Sequence, residues 1–267
     1  MSGDKSNFTT KYSPNISLDP KKRYEAALLS IDLYNSIPNI TEENNTFRYS
    51  VDKGKSFKNI KLGTGSYELS TLNTEIQRMM AVNGDYDSVH QVFYIDISAN
   101  ITKLTSIVNI TNENYKVDFR GRVNIGSVLG YSTEVIGFGY NESPKIVDIM
   151  KVNAILVNVD IIVGSYVNGS NSPTIYSFAP NVSPGYKIVE RPTPSLTFYP
   201  VSRYEINSMN VWLTDQNNKA VDLRGETITV RICIREAPFA LDDIRKAIEE
   251  FKKWSNFILK LIIFVII

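Results

Sequence analysis

Two carboxylates and the chain's only histidine fall together in Gly84-Asp-Tyr-Asp-Ser-Val-His90. In an extended segment Asp85 and Asp87 share a face, where they would pair or join His90 around a metal ion. The spacing matches no ligand motif, and acidic residues in a glycine-containing loop ahead of a strand ordinarily serve the loop itself. A Ser-His-Asp triad would have to use the same histidine, and no nucleophile elbow accompanies it. Gly63-Thr-Gly65-Ser66 precedes a helical pattern, a place where loops cradle phosphate. No Lys-Ser/Thr follows it, so the P-loop pattern is absent. Cys233 is the single cysteine, too few for an internal disulfide or a Cys-rich zinc site. These residues make no enzyme signature and call for no cofactor or metal.

The elements around them read as β. Met209, Val211 and Leu213 alternate with polar neighbours or Trp212, and Ile228, Val230, Ile232 and Ile234 alternate with Thr227, Thr229, Arg231 and Cys233. Residues 205–236 therefore read as a last β-hairpin, its final strand in the middle of a sheet. Asp222-Leu-Arg-Gly-Glu226 between the strands is a turn stapled by local charge, with Gly225 supplying a positive φ. Further strands are expected at 24–37, 47–51, 57–62, 91–98, 104–110, 115–119, 145–163, 174–178, 186–190 and 195–201. The run 145–163 is the most apolar, and its Val and Ile favour a strand. Leu72, Ile76, Met79 and Met80 recur at helical spacing after Ser70 and Thr71, and 125–129 reads as a helical turn. The fold class is all-β: a single jelly-roll β-sandwich with a short inserted helix and a C-terminal amphipathic, hydrophobic helix.

Composition agrees. The 267 residues are 43% hydrophobic and 21% charged, enough for one good core with an appendage at most. A net charge of +1 exerts no global pull on nucleic acid or anionic lipid. The 15 Tyr and 12 Phe are spread along the chain and suit core and interface rather than base stacking. Residues 1–20 are polar, contain Pro14 and Pro20, and read as a flexible arm without the apolar region of a signal peptide. Nine Asn-x-Ser/Thr sequons (Asn7, Asn15, Asn39, Asn44, Asn100, Asn109, Asn141, Asn168 and Asn181) are then expected to stay unmodified.

Beyond the sandwich, 21–236, the tail 237–267 differs in kind. Ile244, Ile248, Phe251, Trp254 and Phe257 form an apolar stripe, and Asp242 and Asp243 lie near the positive end of the helix. The closing Phe257-Ile-Leu-Lys-Leu-Ile-Ile-Phe-Val-Ile-Ile267 is too short to span a bilayer alone. Its candidate destinations are a partner's groove, its own domain or a membrane surface. The five stripe residues are the candidate assembly contacts.

Several segments in order carry a resemblance. They are Leu18-Asp-Pro-Lys-Lys-Arg-Tyr-Glu-Ala-Ala-Leu-Leu-Ser30, Asn35-Ser-Ile-Pro-Asn39, Asn45-Thr-Phe-Arg-Tyr-Ser50 and Gly65-Ser-Tyr-Glu-Leu69. Further on come Gly164-Ser-Tyr-Val-Asn-Gly169, Ile175-Tyr-Ser-Phe178, Pro184-Gly-Tyr-Lys-Ile188 and Asp222-Leu-Arg-Gly-Glu-Thr-Ile-Thr-Val230. Over residues 15–236 the chain resembles the jelly-roll minor, penton-like capsid proteins of Polinton (Maverick) and adintovirus-like DNA viruses, endogenous in invertebrate genomes. The hydrophobic tail departs from that pattern. The resemblance implies a structural protein of the virion, not an enzyme. Its partners would be four further copies in a vertex pentamer and a major capsid protein, with a membrane or internal virion component as a further partner of the tail. It implies no specific nucleic-acid recognition. The rival expectation for such a sandwich is a glycan- or receptor-binding module.

Overall fold

The computed structural model describes residues 6–167, 169–192, 194–238 and 248–253. The chain begins with two long strands, β1 (Asn7–Ser17) and β2 (Tyr24–Tyr34). A lobe follows, made of β3 (Thr46–Ser50), β4 (Lys58–Lys61), α1 (Leu69–Val82), β5 (Ile95–Asn100), β6 (Thr105–Ile110), β7 (Lys116–Asp118), α2 (Gly126–Leu129), β8 (Val135–Ile136) and β9 (Gly139–Glu142). The chain then resumes with β10 (Ile155–Val159), β11 (Ser165–Val167), β12 (Ser170–Ser172), β13 (Thr174–Phe178), β14 (Lys187–Glu190), β15 (Tyr199–Pro200), β16 (Glu205–Asp215) and β17 (Thr229–Glu236).

Two antiparallel sheets form the jelly-roll sandwich. One has the order β1-β16-β10-β13; in the other, β2 pairs β17 on one edge and β14 and β15 on the opposite edge. The chain passes from sheet to sheet at β1–β2, β13–β14, β15–β16 and β16–β17, which wraps it around one core. Inward residues come from alternate positions: Ala26, Leu28, Ile31 and Leu33 from β2, and Ile206, Met209, Val211 and Leu213 from β16, all buried. A bulge opposite Arg231 and Ile232 keeps Leu28 and Ile31 on the same side of β2 despite their odd spacing. Every residue of β10 is buried, so the strand reads as a continuous apolar run, as the sequence suggests. Its one polar member, Asn158, donates to Thr214 Oγ1 at 3.0 Å and accepts from Thr174 Oγ1 at 2.7 Å, a cross-strand ladder that satisfies the buried amide.

Three expectations change. The last β-hairpin is not a hairpin: β16 lies between β1 and β10, and β17 pairs β2 in the other sheet. Both edges of β16 are already taken, and Val221 and Leu223, both buried, hold the connection over the core. β16, not the final strand, occupies the middle of a sheet. The arm expected over 1–20 contains β1, paired with β16 from Asn7↔Trp212 to Ser17↔Glu205. Pro14 escapes the ladder because it sits in the irregularity between Lys11 and Ile16. Of the run 145–163 only 155–159 is strand.

Residues between β2 and β10 build a second core, beyond the one core and appendage that composition suggested. Two small sheets, β4-β3-β7-β8 and β5-β6-β9, enclose it with α1. Leu72, Ile76 and Met80 of α1 pack with Phe47, Tyr49, Ile95, Val108 and Val117. The helix starts at Leu69, where the Thr71 hydroxyl accepts the Glu68 N–H at 2.9 Å. α2 ends at Gly130, which adopts φ +84° and would place a Cβ 2.2 Å from the Lys145 carbonyl oxygen. Gly130→Ala combines left-handed strain with a backbone clash and should cost roughly 3 kcal/mol or more. Gly225, at φ +81° with open space around it, should lose only about 1 kcal/mol on the same change. Denaturant unfolding of the two variants checks the contrast.

Candidate functional site

The two carboxylates of the Gly84–His90 segment do not meet. Gly84 turns the chain at φ +79° after α1, and Asp85 points into the lobe. Lys58 Nζ lies 2.6 and 2.8 Å from its two oxygens, and the Tyr49 hydroxyl donates to one of them. Asn83 Nδ2 donates to the same hydroxyl at 3.0 Å. Burial, then the neighbouring carboxylate, pushes the Tyr49 phenol well above its ordinary pKa. The cluster ties the end of α1 to β3 and β4. Asp87 serves its own loop. It accepts the backbone N–H groups of Val89 at 3.0 Å and His90 at 2.9 Å, meets His90 Nδ1 at 2.9 Å, and takes the Tyr94 hydroxyl. The Tyr94 hydrogen bond, then the His90 N–H, holds Asp87 well below the usual carboxylate range. Among the described residues no group of three His, Cys, Asp or Glu side chains is placed to hold a metal ion.

The glycine loop before α1 is also committed. Gly65 exchanges backbone hydrogen bonds with Ile40 at 3.0 Å in both directions, and Ser66 donates to the Ile37 carbonyl. Cys233 is a free, half-buried thiol on β17. In the 222–226 turn Asp222 accepts the Arg224 N–H at 2.7 Å, and both Arg224 and Gly225 have positive φ. Sequons at Asn39 and Asn44 are buried: the Asn39 amide bonds Tyr67 and Ile149, and Asn44 bonds Thr41 and Asn39.

Sequence reasoning missed Asp118. Its carboxylate is fully buried, gripped by Arg120 Nε at 2.9 Å and Nη2 at 3.1 Å, with Arg48 Nη1 at 3.2 Å. The Asp-Phe-Arg spacing puts both charges on one side of an extended chain, but Arg48 arrives only through the β3–β7 pairing. A cleft of about 430 Å³ lies where the chain leaves and re-enters the sandwich, lined by Ile37, Tyr67, Met150, Val152, Val182 and Pro184 among others. Asn39 bridges both crossings, which makes the cleft a seam between the sandwich and the lobe.

Of the candidate assembly residues, Ile248 and Phe251 stand in a helical segment, 48% and 76% exposed. Ile244, Trp254 and Phe257 lie outside the described residues. Among the described residues no helix is long and apolar enough to cross a membrane.

No family model matches the chain, and no curated protein matches it. Among solved structures it is similar to the mavirus penton protein. That likeness covers 86% of this chain and 91% of the other, at 12% identity and a TM-score of 0.45.

Asp87 and Asp118 are both held below the ordinary carboxylate range, Asp118 chiefly by Arg120. A depressed folded pKa adds stability that is present above the ordinary value near 4 and lost as pH falls. Stability should therefore drop as pH is lowered from about 5, past the ordinary value near 4 and on through the depressed folded values below it. Asp118→Asn should flatten that drop, and Asp118→Ala should cost about 2 kcal/mol at neutral pH. Urea unfolding across pH checks both.

Proposed function

We propose that this chain is a structural capsid protein, a penton-like vertex protein that forms a pentamer in an icosahedral shell. The observation that carries the reading is where the resemblance motifs fall in the jelly roll. Leu18–Ser30 leads from β1 into β2 across the two sheets, and Asn35–Asn39 is the crossing into the lobe. Gly65–Leu69 turns into α1, Pro184–Ile188 enters β14, and Asp222–Val230 is the passage from β16 to β17. Four of the motifs, Leu18–Ser30, Asn35–Asn39, Pro184–Ile188 and Asp222–Val230, thus lie at passages that wrap the chain, while Asn45–Ser50 and Ile175–Phe178 are strands β3 and β13. The carboxylates of Asp85, Asp87 and Asp118 hold loops and strands together. In a closed ring each copy presents one surface to the next and a different surface to the last. Its neighbours in the shell would be a major capsid protein and, through the tail, a membrane or an internal virion component.

A glycan- or receptor-binding module has one observation in its favour. Phe138 and Tyr140, 63% and 67% exposed, stand two residues apart at the start of β9, Tyr140 within the strand and Phe138 just before it. Sugar binding on an array that disappears in Tyr140→Ala would move the assignment there.

For the capsid reading, light scattering should give the mass of five 30.2 kDa chains, and negative-stain images should show five-fold rings. A chain that stays monomeric both alone and with its major capsid protein would sink it.

A further inference from the structure

The sandwich is closed at one flank and thin at the other. On the closed flank the sheets are joined by backbone hydrogen bonds, Val163 N–H to Pro200 at 3.0 Å and Ser202 N–H to Ile161 at 2.8 Å. That puts β15 beneath the continuation of β10, and leaves β1 and β17 as the outer strands of the opposite flank. Residues facing the core from the middle strands are buried. Those from the open flank, Phe8, Tyr12 and Ile16 on β1 with Val230, Ile232 and Ile234 on β17, are only half-buried although they pack on the same core.

The chain leaves the sandwich from this flank. Glu236 is the last residue paired with β2, and the Ala237 N–H bonds the Arg23 carbonyl at 2.8 Å. Thirty-one residues follow Glu236, counting 237–267. Within them Ile248 and Phe251 are exposed on one side of a helical segment, and Trp254 continues their three-residue spacing in the sequence. A half-covered apolar flank and the exposed Ile248 and Phe251 thus belong to the same chain, and these two side chains do not cover that flank. Pairing by strand addition is disfavoured, because Lys11 and Pro14 guard β1, and Arg231 and Arg235 guard β17.

We propose that the C-terminal stripe around Ile248 and Phe251 of one copy docks on the β1–β17 flank of the next copy. Stripe and flank are different surfaces, so the contact is heterologous and closes into a ring by rotation. Phe251 is the anchor, and the half-buried residues of β1 and β17 line its seat. The inference rests on the pentamer reading and names the contact that would build it.

The test is sedimentation velocity on the full chain and two variants. Phe251→Asp breaks the stripe at an exposed position and leaves the flank. Val230→Lys breaks the flank, where an edge position lets the lysine stem reach solvent. Each variant alone should sediment as a monomer with an unchanged circular dichroism spectrum. Mixed one to one they should form a heterodimer and stop there, because only one stripe and one flank remain intact. Should Val230→Lys fail to fold, Phe8→Lys takes its place. Rings of wild-type size from Phe251→Asp, or no heterodimer on mixing, would overturn this contact and leave the ring reading standing. Wild-type protein that is monomeric at every concentration, with or without its major capsid protein, would overturn both.

Discussion

The structure depends on two eleven-residue strands, β2 and β16, whose backbones are hydrogen-bonded along both edges. β16 is held by β1 and β10, and β2 by β17 on one side and β14 with β15 on the other. A strand with both edges occupied leaves its sequence neighbours no place in the same sheet. The chain must cross to the other layer after β1 and again after β16, and with the passages at β13–β14 and β15–β16 these crossings make the jelly roll. Alternation within each strand then supplies the core, since one residue in two faces the opposite sheet. The crossings also place β1 and β17 at the same flank, which leaves the core half-covered there.

The lobe between β2 and β10 shows how charge is used in this protein. Asp85 with Lys58 and Tyr49, and Asp118 with Arg48 and Arg120, are carboxylates bound by groups from different strands. Each sits at a junction where backbone pairing ends and a loop begins. Removing one partner from such a cluster leaves the other charge poorly solvated, so these groups specify loop geometry as much as they stabilise it. The same economy explains Asn39, whose amide joins both passages between sandwich and lobe while filling a buried position. Ionisable and amide groups here do structural work, and exposed apolar side chains are spread over the lobe, at Ile101, Leu104, Phe138, Tyr140 and Ile146, as well as at Ile248 and Phe251.

Much of the fold is legible in order along the chain. The helix at 69–82, the strand at 174–178 and the turn at 222–226 follow from spacing, β-branching and glycine placement, all local properties. β1 is not legible, because an edge strand of polar residues with a proline has no pattern to distinguish it from a loop; its pairing with β16 stabilises it. Asp85 and Asp87 share an apparent face only if the segment is extended, and Gly84 and the Asp87 loop bend it. Asp118 is hidden for another reason: its second arginine is seventy residues away along the chain, at position 48.

By itself the sequence determined the all-β class, the apolar and polar faces of most strands, the inserted helix, an apolar run over 145–163 that the structure narrows to the buried strand 155–159, and the distinct chemistry of the tail. Each of these rests on interactions between residues a few positions apart, or on burial that composition alone demands. Only the tertiary structure decided that β16 and β17 belong to different sheets, that 7–17 is a strand, that two cores form, and that one flank is left half-covered. Those are questions of which edge is free to accept a partner, and an edge is free or occupied only once every other strand has taken its place.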